Sequence, residues 1–400
     1  MRVLLPLHGF VRWNGGLDLI RLLVSALDSV AVREIQLSFA VPVDSTPSRL
    51  LHTGFRRFRQ FVARSTGGSP AGGRDALVQA ALRMIGDRPV VRCADSSKGV
   101  VVAARVTRSD FVFPSMIPLG RDGPPRIAYL FDFQHRYLPH LFSARTRYNR
   151  DRRFKALAAD ATGIVVNSRA VADDVVRFLG FPSSRILAMP FSPYALPRWF
   201  DTRPEDARRK YGISGRYLLV CNHFWKHKDH ATALRAFARL RERTPFSDLQ
   251  LVMTGDPIDH RDPRHYARLQ ELARSLAVFD CAHFLGLIPK DDQLALMRGC
   301  EVLLQPTLFE GGPGGGSVYE AVGLGIPAVV SDIPINLEID QGEICFFRTG
   351  DAEHLAECVA ELLLSPRPRP TREELLAKGD ANLQRLGNVI CRYLTGLHAG

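Results

Sequence analysis

LLQPTLFEGGPGGGSVYEAVGLGIPAVVSD, residues 303–332, is the stretch on which the fold turns. The apolar run Val302 to Gln305 predicts a strand, five glycines and a proline interrupt it, Ser317 to Gly325 carries a helical pattern, and Ala328 to Ser331 predicts a second strand. Strand, bend, helix and strand in that order make a βαβ unit. Glycines lack Cβ atoms, so their N–H groups approach an anion closely, and the following helix N-terminus adds unpaired amides and partial positive charge. The stretch is built to cradle a diphosphate, or else its glycines mark a plain loop. A helix terminus contributes only about 0.3–1 kcal/mol at exposed sites and about 2 kcal/mol when partly buried, so a cation is required as well.

Outward from this unit the same alternation continues. Tyr217 to Cys221, Leu249 to Thr254, His283 to Leu287 and Val302 to Gln305 are strand candidates of the second half, with helices over Asp229 to Arg243 and Pro263 to Leu276. The first half offers Val3 to Leu7, Ile35 to Val41, Val90 to Cys93, Val100 to Ala104, Ile127 to Asp132, Ile164 to Asn167 and Ile186 to Met189. An α/β chain with two doubly wound parallel sheets is expected. The proline-bearing segment Ser192 to Asp206 breaks both series and places a boundary near residue 200. The expected units are residues 1–200, residues 201–375, and a last helix over 376–400 that packs back toward the first unit.

With 400 residues and 46% apolar side chains, the composition excludes disorder. No apolar run approaches the about 18 residues of a membrane span. MRVLLPLHGF has neither the length nor the cleavage site of a signal peptide and reads as a first strand, so a cytoplasmic chain is expected. Seven cysteines are scattered singly without CxxC or Cys/His spacing, which points to reduced core thiols and no zinc site.

Charge is uneven. Residues 1–200 hold 29 Lys+Arg against 14 Asp+Glu, whereas residues 201–400 hold 24 against 27. The first half therefore faces something anionic, or else reflects a bias toward arginine. Over residues 45–74 six arginines (Arg49, Arg56, Arg57, Arg59, Arg64, Arg74) accompany Phe55, Phe58 and Phe61 with no acid. This basic amphipathic stretch suits an anionic membrane surface, at about 1 kcal/mol per arginine, or a phenylalanine stripe packed on the protein's own sheet. The cluster Arg145, Arg147, Arg150, Arg152 and Arg153 serves the same purpose or is a solvated face. No helix-turn-helix, zinc or RNA-recognition pattern accompanies the charge, so nucleic acid is not an expected partner.

Glu310 and Glu320 bracket the glycines. Beside an anion a carboxylate repels, so these two address neutral ligand hydroxyls, to which a charged acceptor bonds strongly, or else they cap the helix or face solvent. The cation is sought in the loop Asn222 to Asp229, where His223, Lys226, His227 and Lys228 cluster. Loops leaving the C-terminal ends of parallel strands are where open α/β sheets bind ligands, so this loop and the glycines converge on one crevice.

Taken together, Gly15 and Gly16, DFQHRYLPHLF (132–142), GIVVNSRAVADDVVRFLG (163–180), the Lys228 loop, FLGLIPKDDQLALMRGCEVLLQPT (284–307) and residues 309–332 resemble the family-4 glycosyltransferases of the GT-B fold. These are retaining, metal-independent enzymes that use nucleotide-diphosphate sugars. The resemblance implies two Rossmann-like domains facing a cleft, with Gly15 and Gly16 near the diphosphate, Lys228 on the phosphate, Glu310 on the transferred sugar and Glu320 on the ribose. It sets Gly314, Gly315, Gly316 and Ser317 against the phosphates, with His223 and Lys226 beside them, and Ile288 and Pro289 at the nucleobase. Asp132 and His135 take the acceptor-side role.

Four departures accompany it. GGPGGGSVY makes the interval between the glutamates nine residues, two longer than the family's commonest pattern. His223 replaces an arginine and Asn222 a glycine, and Phe131-Asp132 stands where His-Asp is frequent. No Asp-x-Asp occurs, so no carboxylate pair is spaced to hold a metal under a diphosphate, and activity in a chelator with no cofactor is expected. The implied function is transfer of a hexose to a saccharide acceptor, lipid-linked at the inner membrane face, in bacterial cell-surface polysaccharide synthesis. A nucleotide-sugar isomerase or hydrolase, and a non-catalytic nucleotide- or saccharide-binding module, are the alternatives.

Overall fold

β1 (Arg2–Pro6), β2 (Gln36–Val43), β3 (Val90–Ala94), β4 (Phe111–Ser115), β5 (Arg126–Tyr129), β6 (Gly163–Val166) and β7 (Ile186–Ala188) form one parallel sheet in the order β3-β2-β1-β4-β5-β6-β7. β8 (Tyr217–Cys221), β9 (Gln250–Thr254), β10 (Ala282–Gly286), β11 (Val302–Gln305), β12 (Ala328–Ser331) and β13 (Ile344–Phe347) form a second, in the order β10-β9-β8-β11-β12-β13. This computed structural model describes residues 1–12, 14–30, 35–43, 73–120 and 123–399.

Each sheet reverses its winding once. The chain runs outward from β1 to β3 and returns to lay β4 beside β1; it repeats the manoeuvre from β8 to β10 and back to β11. At such a reversal the loops leaving neighbouring strands diverge to opposite faces and leave a crevice at the strand C-termini. In the second sheet those loops are residues 222–229, after β8, and 306–314, after β11. The two segments singled out for phosphate chemistry therefore flank one crevice.

Several expectations are corrected. Val100 to Ala104 is not a strand but the middle of the helix Ser97–Val106, capped by Ser96 Oγ, which accepts the Gly99 N–H at 3.1 Å. Val100, Ala103 and Ala104 are buried while Val102 is exposed, a helical period that a run of valine and alanine hides. β4 and β13 were not expected. Pro114 argues against a strand, and β4 accommodates it through a register shift against β5 between Val112 and Ser115. The basic stretch 45–74 lies outside the described residues, except for the backbone of Gly73 and Arg74 in the helix Gly73–Ile85.

The last helix, Arg372–Ala399, places Leu383, Leu386, Ile390 and Leu394 in the core of the first sheet, with Leu23 and Leu27 of the helix Asn14–Ser29. Gly387 makes the crossing possible, since a Cβ there would lie 2.1 Å from the Ala26 carbonyl oxygen. All seven cysteines are free. Among the described residues no helix is long and apolar enough to cross a membrane.

Candidate functional site

After β8 the chain makes a one-turn 3-10 helix, Lys226–Lys228, and Asp229 adopts a left-handed φ of 47°. Asp229 caps the helix His230–Arg241 by accepting the Thr232 hydroxyl at 2.6 Å. Lys228 is thereby held at the mouth of the crevice, and its ammonium pairs with Glu310 Oε1. Only 12% and 9% of the two side chains are exposed. The loops are zipped together by the His227 carbonyl, which accepts the Leu308 N–H at 2.8 Å and the Thr307 hydroxyl at 3.2 Å.

Gly314 and Gly315 bend with φ of 65° and 63°, the left-handed region that side chains disfavour, and begin the helix Gly315–Gly323. A Cβ on Gly315 would lie 3.0 Å from Glu310 Oε2, so a side chain there would crowd the glutamate as well as strain the turn. The expectation that all four amides from Gly314 to Ser317 meet phosphate needs correction. The Gly314 N–H donates to Asn336 Oδ1 at 2.8 Å and the Gly315 N–H to the Gly312 carbonyl at 3.1 Å. Both amides are spent on shaping the turn. Gly316 and Ser317 stand in the first helical turn, where no preceding carbonyl closes the ladder, and a Cβ on Gly316 would meet open space.

Glu320, one turn further along, pairs with Lys290 through Oε1 and accepts from Gln293 Nε2 through Oε2 at 3.3 Å. Burial pushes its carboxyl up, against the pull of Lys290. Lys290 opens the helix Lys290–Gly299 behind half-buried Ile288 and exposed Pro289, so the expected nucleobase segment adjoins the Glu320 end. Asp18, in the helix Asn14–Ser29 whose first turn holds exposed Gly15 and buried Gly16, acts electrostatically on both Glu320 and Lys290. This sets that helix opposite the same end of the crevice.

The other cation candidates differ from expectation. Lys226 is exposed, with its backbone N–H on Asp259 Oδ2 at 3.1 Å. His223 accepts the Asp256 N–H on Nδ1 at 3.0 Å, and burial lowers its pKa, with Lys228 adding to the effect. Burial and Lys228 push His227 down to about 2. Both imidazoles are therefore neutral near pH 7, which leaves the positive charge of the loop to its lysines.

Across the crevice, Asp132 Oδ1 accepts the Gln134 N–H at 2.8 Å and pairs with Arg150 at 2.6 Å. A Cβ on Gly311 would lie 2.3 Å from the Phe131 carbonyl oxygen and 3.2 Å from Asp132 Cβ, so the two halves touch here. Tyr137 extends the contact, its ring 5.7 Å from that of Phe309. Further along the interface, Glu338 accepts the N–H groups of Arg169 and Ala170, each at 2.8 Å. His135 does not join Asp132. Its ring is fully buried among Phe133, Phe142 and Phe154, with Nε2 on Asp151 Oδ1 at 2.8 Å, and it has no surface to offer a ligand. Within the arginine cluster, Arg150 is absorbed by Asp132 and by the Phe131 ring, Arg153 donates to the Met116 carbonyl at 2.9 Å, and Arg145, Arg147 and Arg152 are exposed.

Sequence reasoning missed Gln305, Asn336 and Lys290. Gln305 Nε2 donates to Glu310 Oε1 at 3.0 Å and to the Gly314 carbonyl at 2.8 Å, while its Oε1 accepts from Asn222 Nδ2 at 2.7 Å. An amide closing an apolar strand was the available signal. Asn336 anchors the turn from below and in turn donates to the Ser331 carbonyl at 2.9 Å.

Comparison with known proteins bears on the fold. Residues 204–380 match the model of the family described as glycosyl transferases group 1. Mannosylfructose-phosphate synthase of Agrobacterium fabrum is 25% identical over 131 residues, which is 33% of this chain and only 28% of that protein's own length. The crystal structure of Anabaena HepE in complex with UDP and glucose is similar with a TM-score of 0.62 at 14% identity, covering 99% of this chain and 98% of that one. WaaG, a glycosyltransferase involved in lipopolysaccharide biosynthesis, is similar at a TM-score of 0.54 and 16% identity, over 96% and 95% of the two chains. The two-sheet architecture is that of the GT-B glycosyltransferases, and residues 204–380 are similar to the group 1 glycosyl transferases.

Proposed function

We propose that the protein is a hexosyltransferase that moves a sugar from a nucleotide diphosphate to a saccharide acceptor with retention of anomeric configuration. The observation that carries this reading is the meeting of Lys228 and Glu310 at the switch-point crevice, beneath the open first turn of the helix Gly315–Gly323. In this reading the Lys228 ammonium and the Gly316 and Ser317 amides stabilise charge as the diphosphate leaves. Glu310 accepts from hydroxyls of the transferred sugar and Glu320 from those of the ribose. Asp132 receives the acceptor hydroxyl, which approaches the face the diphosphate departs from, so no protein nucleophile is needed.

Preorganised charge of this kind is worth about 2.7–4 kcal/mol, so Lys228→Ala is expected to lower kcat by about 10²–10³-fold. The test is nucleotide-sugar turnover by wild type, Lys228→Ala and Glu310→Ala; equal rates in all three remove the assignment. Turnover is expected to survive a chelator, and its loss there would refute metal-free catalysis. The excess of 29 basic over 14 acidic side chains in residues 1–200 supports an anionic, lipid-linked acceptor of cell-surface polysaccharide synthesis, met at the inner membrane face.

A further inference from the structure

Gln305 ends β11 and has no exposed surface. A primary amide presents two N–H donors and a carbonyl with two lone pairs, and buried away from water each must find a partner. All four do so. Nε2 donates to Glu310 Oε1 at 3.0 Å and to the Gly314 carbonyl at 2.8 Å; Oε1 accepts from Asn222 Nδ2 at 2.7 Å and from Ser317 Oγ at 3.2 Å. The orientation of the amide is dictated by its surroundings, because a carboxylate and a backbone carbonyl accept only, so the nitrogen must face them.

The four partners belong to four parts of the crevice: the loop of Lys228, the glutamate on which Lys228 rests, the glycine turn, and the first turn of the following helix. Glu310 Oε1 is shared between Gln305 and Lys228, which leaves Oε2, over Gly315, as the oxygen with capacity for a ligand hydroxyl. Asn222, which stands where a glycine was expected, supplies an amide that glycine lacks.

We propose that Gln305 is the positioning residue of this site, setting the rotation of the Glu310 carboxylate and locking it to the glycine turn and the Lys228 loop. This rests on the transferase reading above. Gln305 itself meets no substrate; it acts through Glu310.

The experiment compares wild type with Gln305→Met and the isosteric Gln305→Glu, using UDP, GDP and dTDP as calorimetric probes and the sugar nucleotide of whichever base binds as substrate. Well below its melting temperature, Gln305→Met is expected to lose about tenfold or more in kcat and much less in diphosphate affinity, since Lys228 is retained. Gln305→Glu is expected to be slower still at pH 8, where the introduced carboxylate repels Glu310. It should recover relative to wild type as pH falls, because the protonated carboxyl again donates a hydrogen bond. A purely structural role would not produce that pH-dependent rescue. Should Gln305→Met fail to fold, the pH profile of Gln305→Glu carries the test. Wild-type kcat in both variants, or a Gln305→Glu to wild-type ratio that does not change with pH, overturns the role of Gln305 and leaves the transferase reading standing. A wild-type protein that binds none of the three diphosphates overturns the transferase reading itself.

Discussion

Lys228 and Glu310 neutralise one another in a nearly buried setting, and this determines how the crevice treats anions. In the proposed reaction a diphosphate competes with the glutamate for the same ammonium, and a charge-assisted hydrogen bond is about twice as strong as a neutral one. Replacing the carboxylate by an isosteric amide lifts that competition. Glu310→Gln is therefore expected to bind a nucleoside diphosphate several-fold more tightly than wild type while losing transfer, a combination calorimetry and turnover together detect; weaker binding would mean that the pair supports the phosphate rather than contests it. Both residues were readable as chemistry-bearing from their places beside glycines and at a strand end. Their partners were not. Gln305 looks like an ordinary residue of β11, and only tertiary placement turns it toward Glu310. His135 was misjudged because an imidazole near a promising aspartate reads the same whether it faces solvent or, as here, three phenylalanine rings.

The glycine turn and its helix behave as one element. Gly315 combines a φ of 63° with contact against Glu310, whereas Gly316, the next residue, has neither constraint. An L-residue in the left-handed region costs about 1–2 kcal/mol, so Gly315→Ala is expected to lower the melting temperature and to displace Glu310, reducing turnover. Gly316→Ala is expected to melt no lower than wild type, since alanine is favoured over glycine in a helix by roughly 0.5–1 kcal/mol. Thermal melts of the two variants decide the matter, and equal destabilisation would show that the turn is not shaped as described. At this scale the sequence was most legible where period and punctuation agree, as across β11, the glycines and β12. It was least legible where apolar runs are short. Val100 to Ala104 fits a strand or a buried helix equally well by composition, and Ser96, the cap that settles it, lies outside the run. Pro114 concealed β4 for the opposite reason, because a proline tolerated at a register shift looks like a break.

The two halves meet along a seam that includes a polar contact beside buried Ile335. There Glu338 accepts two N–H groups at the start of the helix Arg169–Leu179, with 15% of its side chain exposed. A carboxylate at a helix N-terminus is worth about 0.3–1 kcal/mol, rising to about 2 kcal/mol when partly buried. Glu338→Ala is expected to shift the molecule toward a wider cleft, read as a larger radius of gyration by small-angle scattering and a higher donor KM; an unchanged scattering curve would show that other contacts set the closure. The two-sheet plan was legible because each series of strands and helices repeats the same alternation. How the halves touch was not, since Gly311 against Phe131 and Glu338 against Arg169 join residues far apart in the chain.

The helix Arg372–Ala399 has a consequence for how the protein comes to exist. Leu383, Leu386, Ile390 and Leu394 complete an apolar interior whose other walls are laid down hundreds of peptide bonds earlier in translation. Domains ordinarily settle in the order in which they leave the ribosome, yet here the leading half waits with an unsealed flank until the trailing segment arrives. Cutting the gene at the middle to isolate the leading half would yield a sticky fragment, and chaperone demand during synthesis should fall only once the final helix has emerged.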